Sequence, residues 1–479
     1  MLELDIKDPI SIYEYSQLLI GHSLRGLYGN EAVARLRKGK GGLGQMVEEL
    51  FFGYGINGIR EADFNEAGVE LKCTPLMKSS KDGTYRIKER LVCTIINYSE
   101  LAYTSFEDSH LLTKCRLMLL LFYLHVSGEP VFDYEFLFRM LWQLPEKDLI
   151  QIKADYEIIR AKVLRGEAHL LSEGDTMYLG AARKGHKGEE PQNQPYSDIK
   201  AYRRAFSLKP AYMRYVLSHV AESGGTSYSN YVIKDNFRLQ LVATSELQES
   251  SFERIIIDRF RPYYGMNYLE ICEKLDITPY TAKAKYADIS GLIASEGQSK
   301  RISLSEEFVK SGLVMKTVRL RENGMPKEAM SFRNIDYDEI MENDIWTESD
   351  LYEIFTGRFL FVVFRPNSGK KIRIHNDVTG ESEYEDEYLL DRVFFWTMPP
   401  EDLLDAEMYW KHIRDNVANN KIDLSHFWKI SDRKKFHVRP KAARKTQQMD
   451  NPHGGKCDKY CYWFNAEYVK SIIESDGKL

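Results

Sequence analysis

Apolar residues recur at helical spacing from Ile10 to Ile20 and again from Leu43 to Phe52, which predicts two amphipathic helices near the start of the chain. The pattern then changes. Gly68–Thr74, Arg90–Ile96 and Leu117–Leu124 are short apolar-rich runs that predict strands. The last is apolar throughout, as a strand covered on both faces is. From Lys147 to Leu164 helical spacing returns, with Pro145 just ahead as a start signal. A second series follows: a helix over 251–260, then strands at Leu313–Val318 and Phe359–Phe364. Helices alternating with buried strands predict an α/β fold, a mixed sheet flanked by helices.

The two series are related. The run beginning at Trp142 (WQLPEKDL) returns at Trp396 (WTMPPEDL), aligning Pro145 with Pro399 and Asp148 with Asp402. The same offset carries Ile159-Arg160 onto Ile413-Arg414. Gly68 to Lys72 (GVELK) aligns with Gly312 to Lys316 (GLVMK), and Ala181 to Lys184 (AARK) with Ala442 to Lys445 (AARK). The matches keep their order while the offset drifts, as in a diverged duplication with loop insertions. Two tandem copies of one domain are therefore expected, a pseudo-dimer within one chain. The first copy is placed at 1–225, a linker at 226–255 and the second copy at 256–479.

Length and composition agree. A chain of 479 residues, 43% hydrophobic and 12% aromatic, is long enough for several domains and too apolar to stay disordered. The longest apolar stretch, Leu117 to Val126, is about half the ~20 residues of a membrane span. No basic region followed by an apolar core opens the chain, so no secretory signal is expected, and six scattered cysteines suit a reducing cytoplasm. The net charge is −5, but the basic residues are segregated. Lys429, Arg433, Lys434, Lys435, Arg439, Lys441, Arg444 and Lys445 crowd one window against the single acid Asp432. Arg35, Arg37, Lys38 and Lys40 form a smaller cluster, and acids gather at Glu381–Asp386. A focused basic patch on a mildly acidic protein can bind phosphate.

The strongest candidate chemistry is Asp63 followed by Glu70-Leu71-Lys72. On a strand, Glu70 and Lys72 share one face while Val69 and Leu71 enter the core. A turn after Asp63 would bring its carboxylate beside Glu70. Two converging carboxylates suit magnesium, and a neighbouring lysine can position a water and offset charge on a phosphate. That is the group set for metal-assisted phosphodiester hydrolysis. The same spacing also arises in surface ion pairs. Glu48, on the helix before Asp63, could add a carboxylate. Gly39 to Gly44 matches a dinucleotide-binding pattern, but a polar helix-like segment precedes it rather than a buried strand. No Walker A sequence follows. His453, Cys457 and Cys461 are unusually spaced and lack a fourth zinc ligand, so the cysteines are read as free thiols.

The stretches GKGGLGQMVEELFFG (39–53) and DFNEAGVELK (63–72) resemble the catalytic region of the MutH family. That family comprises the mismatch-repair endonuclease that nicks at GATC and related type II restriction endonucleases that cut there. Ser109-His110 to Lys114 and Leu164 to Glu167 are similar too. The resemblance covers most of 10–215 and returns more weakly from about 262 onward. It implies a restriction-endonuclease-like fold and Mg2+-dependent cutting of double-stranded DNA that leaves a 5′-phosphate and a 3′-hydroxyl. By position, Asp63, Glu70 and Glu48 would hold the metal, Lys72 would serve the attacking water, and Lys114 would be the additional lysine at the site. In the second copy Asp63 falls on Glu307, Glu70 on Val314, Lys72 on Lys316 and Lys114 on Thr356, so that copy is expected not to cleave. It keeps Arg439-Pro440-Lys441, which resembles the family's DNA-reading loop. Arg439, Lys441, Arg444 and Lys445, with Arg183 and Lys184 in the first copy, are the expected DNA-binding residues. The implied setting is a bacterial cytoplasm with a cognate DNA methyltransferase, and self-association on DNA. Alternatives are a strand-nicking repair enzyme and a non-catalytic sequence-specific DNA-binding protein.

Overall fold

The computed structural model describes residues 3–35, 42–53, 61–78, 83–184, 190–222, 239–375, 380, 382–440 and 448–475. The chain is α/β with mixed sheets, and it divides into two compact units, Met1–Phe237 and Arg238–Leu479. The division falls inside the segment read as a linker. Part of that segment is built into the second unit: Leu241 and Val242 are buried, and two helices follow before residue 261.

In the first unit, α1 (Pro9–Tyr15), α2 (Leu24–Arg35, broken at Gly29) and α3 (Leu43–Leu50) precede the sheet. Then come β1 (Glu70–Lys78), β2 (Tyr85–Ile87), β3 (Leu91–Ile95), α4 (Tyr98–Leu101), α5 (His110–Cys115), β4 (Leu117–Leu124), β5 (Phe136–Gln143) and α6 (Glu146–Leu164). The unit closes with β6 (Leu179–Arg183), β7 (Gln192–Gln194), β8 (Ser197–Ala201), β9 (Arg204–Leu208) and α7 (Pro210–Glu222). The main sheet runs β2-β1-β4-β5, with β1 parallel to β4 and β5 antiparallel. One face, Val69, Leu71, Leu119 and Leu121, packs with α1, α3, Phe51, Phe52 and Phe64. On the other, Trp142 meets His219 of α7, ring centroids 5.9 Å apart. A second sheet, β3-β9-β6, is antiparallel, and β7-β8 is a small ribbon.

The second unit runs α8 (Thr244–Glu249), α9 (Phe252–Phe260), α10 (Tyr268–Lys274), α11 (Lys285–Ala294), α12 (Glu306–Ser311), β10 (Val314–Arg319), β11 (Met330–Asn334), α13 (Tyr337–Glu342) and α14 (Asp350–Thr356). It continues with β12 (Arg358–His375), β13 (Ser382–Thr397), α15 (Pro400–Ala418), β14 (Phe436–Arg439), β15 (Gln448–Asp450), β16 (Lys456–Asp458), β17 (Cys461–Phe464) and α16 (Ala466–Ser475). Its main sheet is β10-β12-β13, again a parallel pair followed by an antiparallel strand. Its second sheet is β11-β17-β14, again antiparallel, beside the ribbon β15-β16.

Details recur below the level of topology. Asp148 on α6 accepts the Tyr212 hydroxyl at 2.8 Å, and Asp402 on α15 accepts the Tyr468 hydroxyl at 2.5 Å. Arg160 donates to the carbonyls of Leu101 and Ala102, past α4, and Arg414 to that of Asn343, past α13. Ser109 caps α5 and Ser349 caps α14, each hydroxyl also donating to a carbonyl three residues back. A buried hydroxyl–carboxylate bond is a strong tie because both partners would otherwise be stranded away from water. Among the described residues, no helix is long and apolar enough to cross a membrane, and the Leu117 run is a strand.

Candidate active site

The site forms where β1 begins. Gly68, at φ +66°, makes the turn that lets Phe64 and Val69 bond back to each other through both amides. Asp63 is thereby returned beside β1, and its Oδ2 accepts the Leu71 amide at 2.9 Å. Glu70, buried, and Lys72 follow on the face opposite Leu71, and Lys72 Nζ donates to Glu70 Oε1 at 2.7 Å. The second lysine comes from α5, which runs directly into β4, the parallel neighbour of β1. Lys114 Nζ lies 3.0 and 3.1 Å from the two Glu70 oxygens. Glu48, half-buried on α3, faces this group.

The electrostatics follow from the crowding. Burial, then the charges of Asp63 and Glu70, push the Glu48 carboxyl up to about 7. Asp63 is raised by burial and by Glu70, with the Leu71 amide opposing. Burial pulls Lys72 down, but the charge and hydrogen bond of Glu70 outweigh it and leave the ammonium above its ordinary value. Glu48 and Asp63, both raised and crowded against a third carboxylate, form an arrangement that a cation would relieve. Among the described residues, no three histidine, cysteine or acidic side chains form a closed metal cage. Magnesium in phosphoryl chemistry needs only one or two carboxylates, with water and phosphate oxygens completing the shell. Asp63 and Glu70 fit that demand.

All five residues expected in the catalytic group meet here. The sequence reading missed what surrounds them. A cavity of about 370 Å3 adjoins Lys114, lined by Asn97, Glu100, His110, Tyr156 and Phe206 among others. Cys93 and Cys115 are buried free thiols behind Lys72.

Strand register locates the same positions in the second unit. Glu70 pairs with Met118, and Met118 with Trp142; Val314 pairs with Phe359, and Phe359 with Trp396. Val314 thus stands where Glu70 stands, and Lys316 where Lys72 stands. One pairing shifts. Counted from the capping serine, Lys114 falls on Ile354, and counted back from the strand on Phe355, rather than on Thr356; none is basic. Glu307 differs from Asp63 in its partners: its carboxylate accepts the amides of Leu241 and Val242.

Of the expected DNA-binding residues, the described ones lie at or just past the ends of β6 and β14, corresponding strands of the two units. Arg183, exposed at the end of β6, lies 3.8 Å over the Tyr202 ring, and Lys184 follows, also exposed. Arg439, exposed at the end of β14, lies 4.4 Å over the Trp463 ring, whose Nε1 donates to the Arg439 carbonyl at 3.1 Å. Lys441, Arg444 and Lys445 lie outside the described residues, as does Gly39–Gly41 of the glycine pattern. His453 Nε2 donates to the Val417 carbonyl at 2.8 Å, and Cys457 and Cys461 are free thiols.

Beneath Arg439, His437 is fully buried against Trp463, and neither ring nitrogen has a partner among the described residues. Burial and the Arg439 charge lower it from 6.5 to about 4. The unfolded chain therefore binds a proton that the folded chain refuses between those values. Stability from this group is complete above about 6.5 and is lost as pH falls toward 4. From pH 7.5 to 5 the loss is expected to be about 2 kcal/mol. Denaturant unfolding of the full chain at both pH values checks this. His437→Phe should flatten the difference, and equal losses in both proteins would exclude His437 as its source.

The region 52–155, which holds β1, α5 and β4, matches the family model of the DNA mismatch repair enzyme MutH. MutH proteins of Vibrio cholerae and Shewanella amazonensis are 25% and 30% identical over 38% and 32% of this chain, covering 81% and 66% of their own lengths. The type II restriction enzyme Sau3AI of Staphylococcus aureus is 30% identical across 97% of this chain and 98% of its own. A match to a restriction enzyme through both units, with the MutH model falling within the first, means that the chain belongs to the MutH-related family of type II restriction endonucleases.

Proposed function

We propose that the chain makes magnesium-dependent double-strand cuts in DNA at GATC, with its catalytic centre in the first unit and DNA recognition in the second. The observation that carries this reading is the convergence of Asp63, Glu70, Lys72 and Lys114 at the head of β1, set against Val314 at the Glu70 position of the second unit. The carboxylates of Asp63 and Glu70 would hold the ion, with Glu48 supporting them, and the ion would supply Lewis-acid polarisation of the scissile phosphate and a lowered pKa for the attacking water. Lys72 orients the attacking water and, with Lys114, offsets charge gathering on the phosphate oxygens. The P–O bond to the 3′ oxygen breaks, so the products carry a 5′-phosphate and a 3′-hydroxyl.

The matching sheet orders, the Asp–Tyr bonds and the capped helices support a duplication, one copy having given up catalysis. Two related modules on one chain can address the two halves of a site with two-fold symmetry. One centre per chain severs one strand per encounter, so a second chain, or rebinding, completes the break. A methyltransferase of matching specificity would protect the host. Digestion of a supercoiled plasmid with magnesium, followed by sequencing of the ends, tests the reading. Linear product with ends at GATC is expected. Nicked circles alone would favour a repair-type nicking enzyme, and unchanged plasmid a DNA-binding protein without catalysis.

A further inference from the structure

Replacing Glu70 by Val314 does more than remove a metal ligand: it changes the sign of the site. In the first unit, Glu70 balances Lys72 and Lys114. In the second, the Lys72 position is kept as Lys316 with no carboxylate at the Glu70 position. A cavity of about 240 Å3 opens along this part of β10, an edge strand of its sheet. Its wall carries Lys283, Lys316, Arg319 and Lys327 against one acid, Glu328. Their supports are largely aromatic and backbone groups. Lys316 Nζ donates to the Ser331 carbonyl at 2.7 Å and lies 4.2 Å from the Phe332 ring centre. The Arg319 guanidinium rests 5.2 and 5.6 Å from the rings of Tyr286 and Tyr388. Lys327 Nζ meets the Tyr388 hydroxyl at 3.2 Å.

The acids in reach do not cancel this charge. Glu328 is 3.7 Å from Arg319 and Asp386 is 3.8 Å from Lys327, both with mostly exposed side chains. Glu385, on β13, is already engaged by Lys285 at 2.7 Å and by the Tyr286 hydroxyl at 2.9 Å. Four cations around a cavity of this size form a receptor for a tetrahedral anion.

We propose that this cavity binds a backbone phosphate of duplex DNA, the catalytic position of one unit having become an anchoring position in the other. The proposal rests on the reading of the chain as a DNA enzyme. Its test is the salt dependence of duplex binding by the full chain, measured without divalent ions so that no strand is cut. For Lys283→Ala/Lys327→Ala, the slope of log affinity against log salt should fall by about 1 for each phosphate that the protein no longer neutralises. Affinity should fall by the same factor for duplexes with and without GATC. Lys283→Ala alone, at an exposed side chain, should show a smaller shift the same way. Lys411→Ala, on the exposed face of α15, should leave the slope unchanged. An unchanged slope in the cavity variants, or a loss confined to GATC duplexes, would overturn the proposal. So would inorganic phosphate that binds the wild-type cavity while duplex binding ignores the substitutions, because the ligand would then be a free anion. Failure of the wild-type chain to bind any duplex would instead sink the underlying reading.

Discussion

Lys72→Met is expected to lower kcat for DNA cleavage by about 10²–10³ while duplex affinity stays within a few-fold of wild type. Methionine keeps the length and packing of the side chain and deletes its charge. The Lys72 ammonium is 2.7 Å from Glu70 Oε1, with its side chain only 18% exposed, so it acts in a poorly screened setting. Its loss removes the group proposed to orient the attacking water. Lys114 still neutralises Glu70 from α5, at 3.0 Å, so the site does not collapse. Single-turnover cleavage separates the two effects. A variant that cuts at the wild-type rate once saturated, with only weakened binding, would make Lys72 an anchor for DNA and not part of the chemistry.

Asp155→Ala is expected to destabilise the first unit by about 3–5 kcal/mol. Asp155 is fully buried on α6, where its two oxygens accept the amides of Met177, Tyr178 and Leu179 and the Gln151 side chain at 2.7–3.0 Å. Those three amides lead into β6, whose end carries Arg183. Alanine leaves the donors buried with nothing to bond. Asp155→Asn keeps one acceptor oxygen and should fall between the two. Denaturant unfolding measures the loss, and a cost under ~1 kcal/mol would mean that water enters and satisfies the amides. At the aligned place in the second unit stands Tyr409, which ties α15 to β14 through its hydroxyl and the His437 carbonyl at 2.7 Å. The same helix–strand joint is made with different chemistry.

Local features were legible in the chain because their signals are local. The apolar run Leu117–Leu124 is a strand from end to end, and the helix expected from Lys147 begins one residue earlier, at Glu146. β1 is displaced from the expected Gly68–Thr74 to Glu70–Lys78, because Gly68 belongs to the turn that returns Asp63. The hairpin β12–β13 runs far past the expected Phe359–Phe364, since its outer half is mostly polar and exposed, with only the short Ile372–Ile374 alternation buried on β12. The ribbon β7-β8 was invisible for the same reason. Asp63, Glu70 and Lys72 could be placed together by strand alternation and one turn. Glu48 could be offered from its place on the preceding helix, whereas Lys114 could be proposed only from family resemblance. The bond from Lys114 to Glu70 spans 44 positions and depends on α5 feeding the parallel strand β4. The Asp148–Tyr212 and Asp402–Tyr468 bonds likewise join residues far apart in sequence, so the repeat showed the aspartates but not their partners.

The central claim is that each chain has one catalytic centre, in its first unit. The direct measurement is single-turnover cleavage of a GATC duplex by full-length Glu70→Gln, with the two strands carrying different labels. Glutamine preserves the shape of the buried side chain and removes the charge that holds the ion. Neither strand should be cut above background, while the duplex is still bound. Wild-type-like cutting of even one strand would place an active centre elsewhere in the chain and contradict the account.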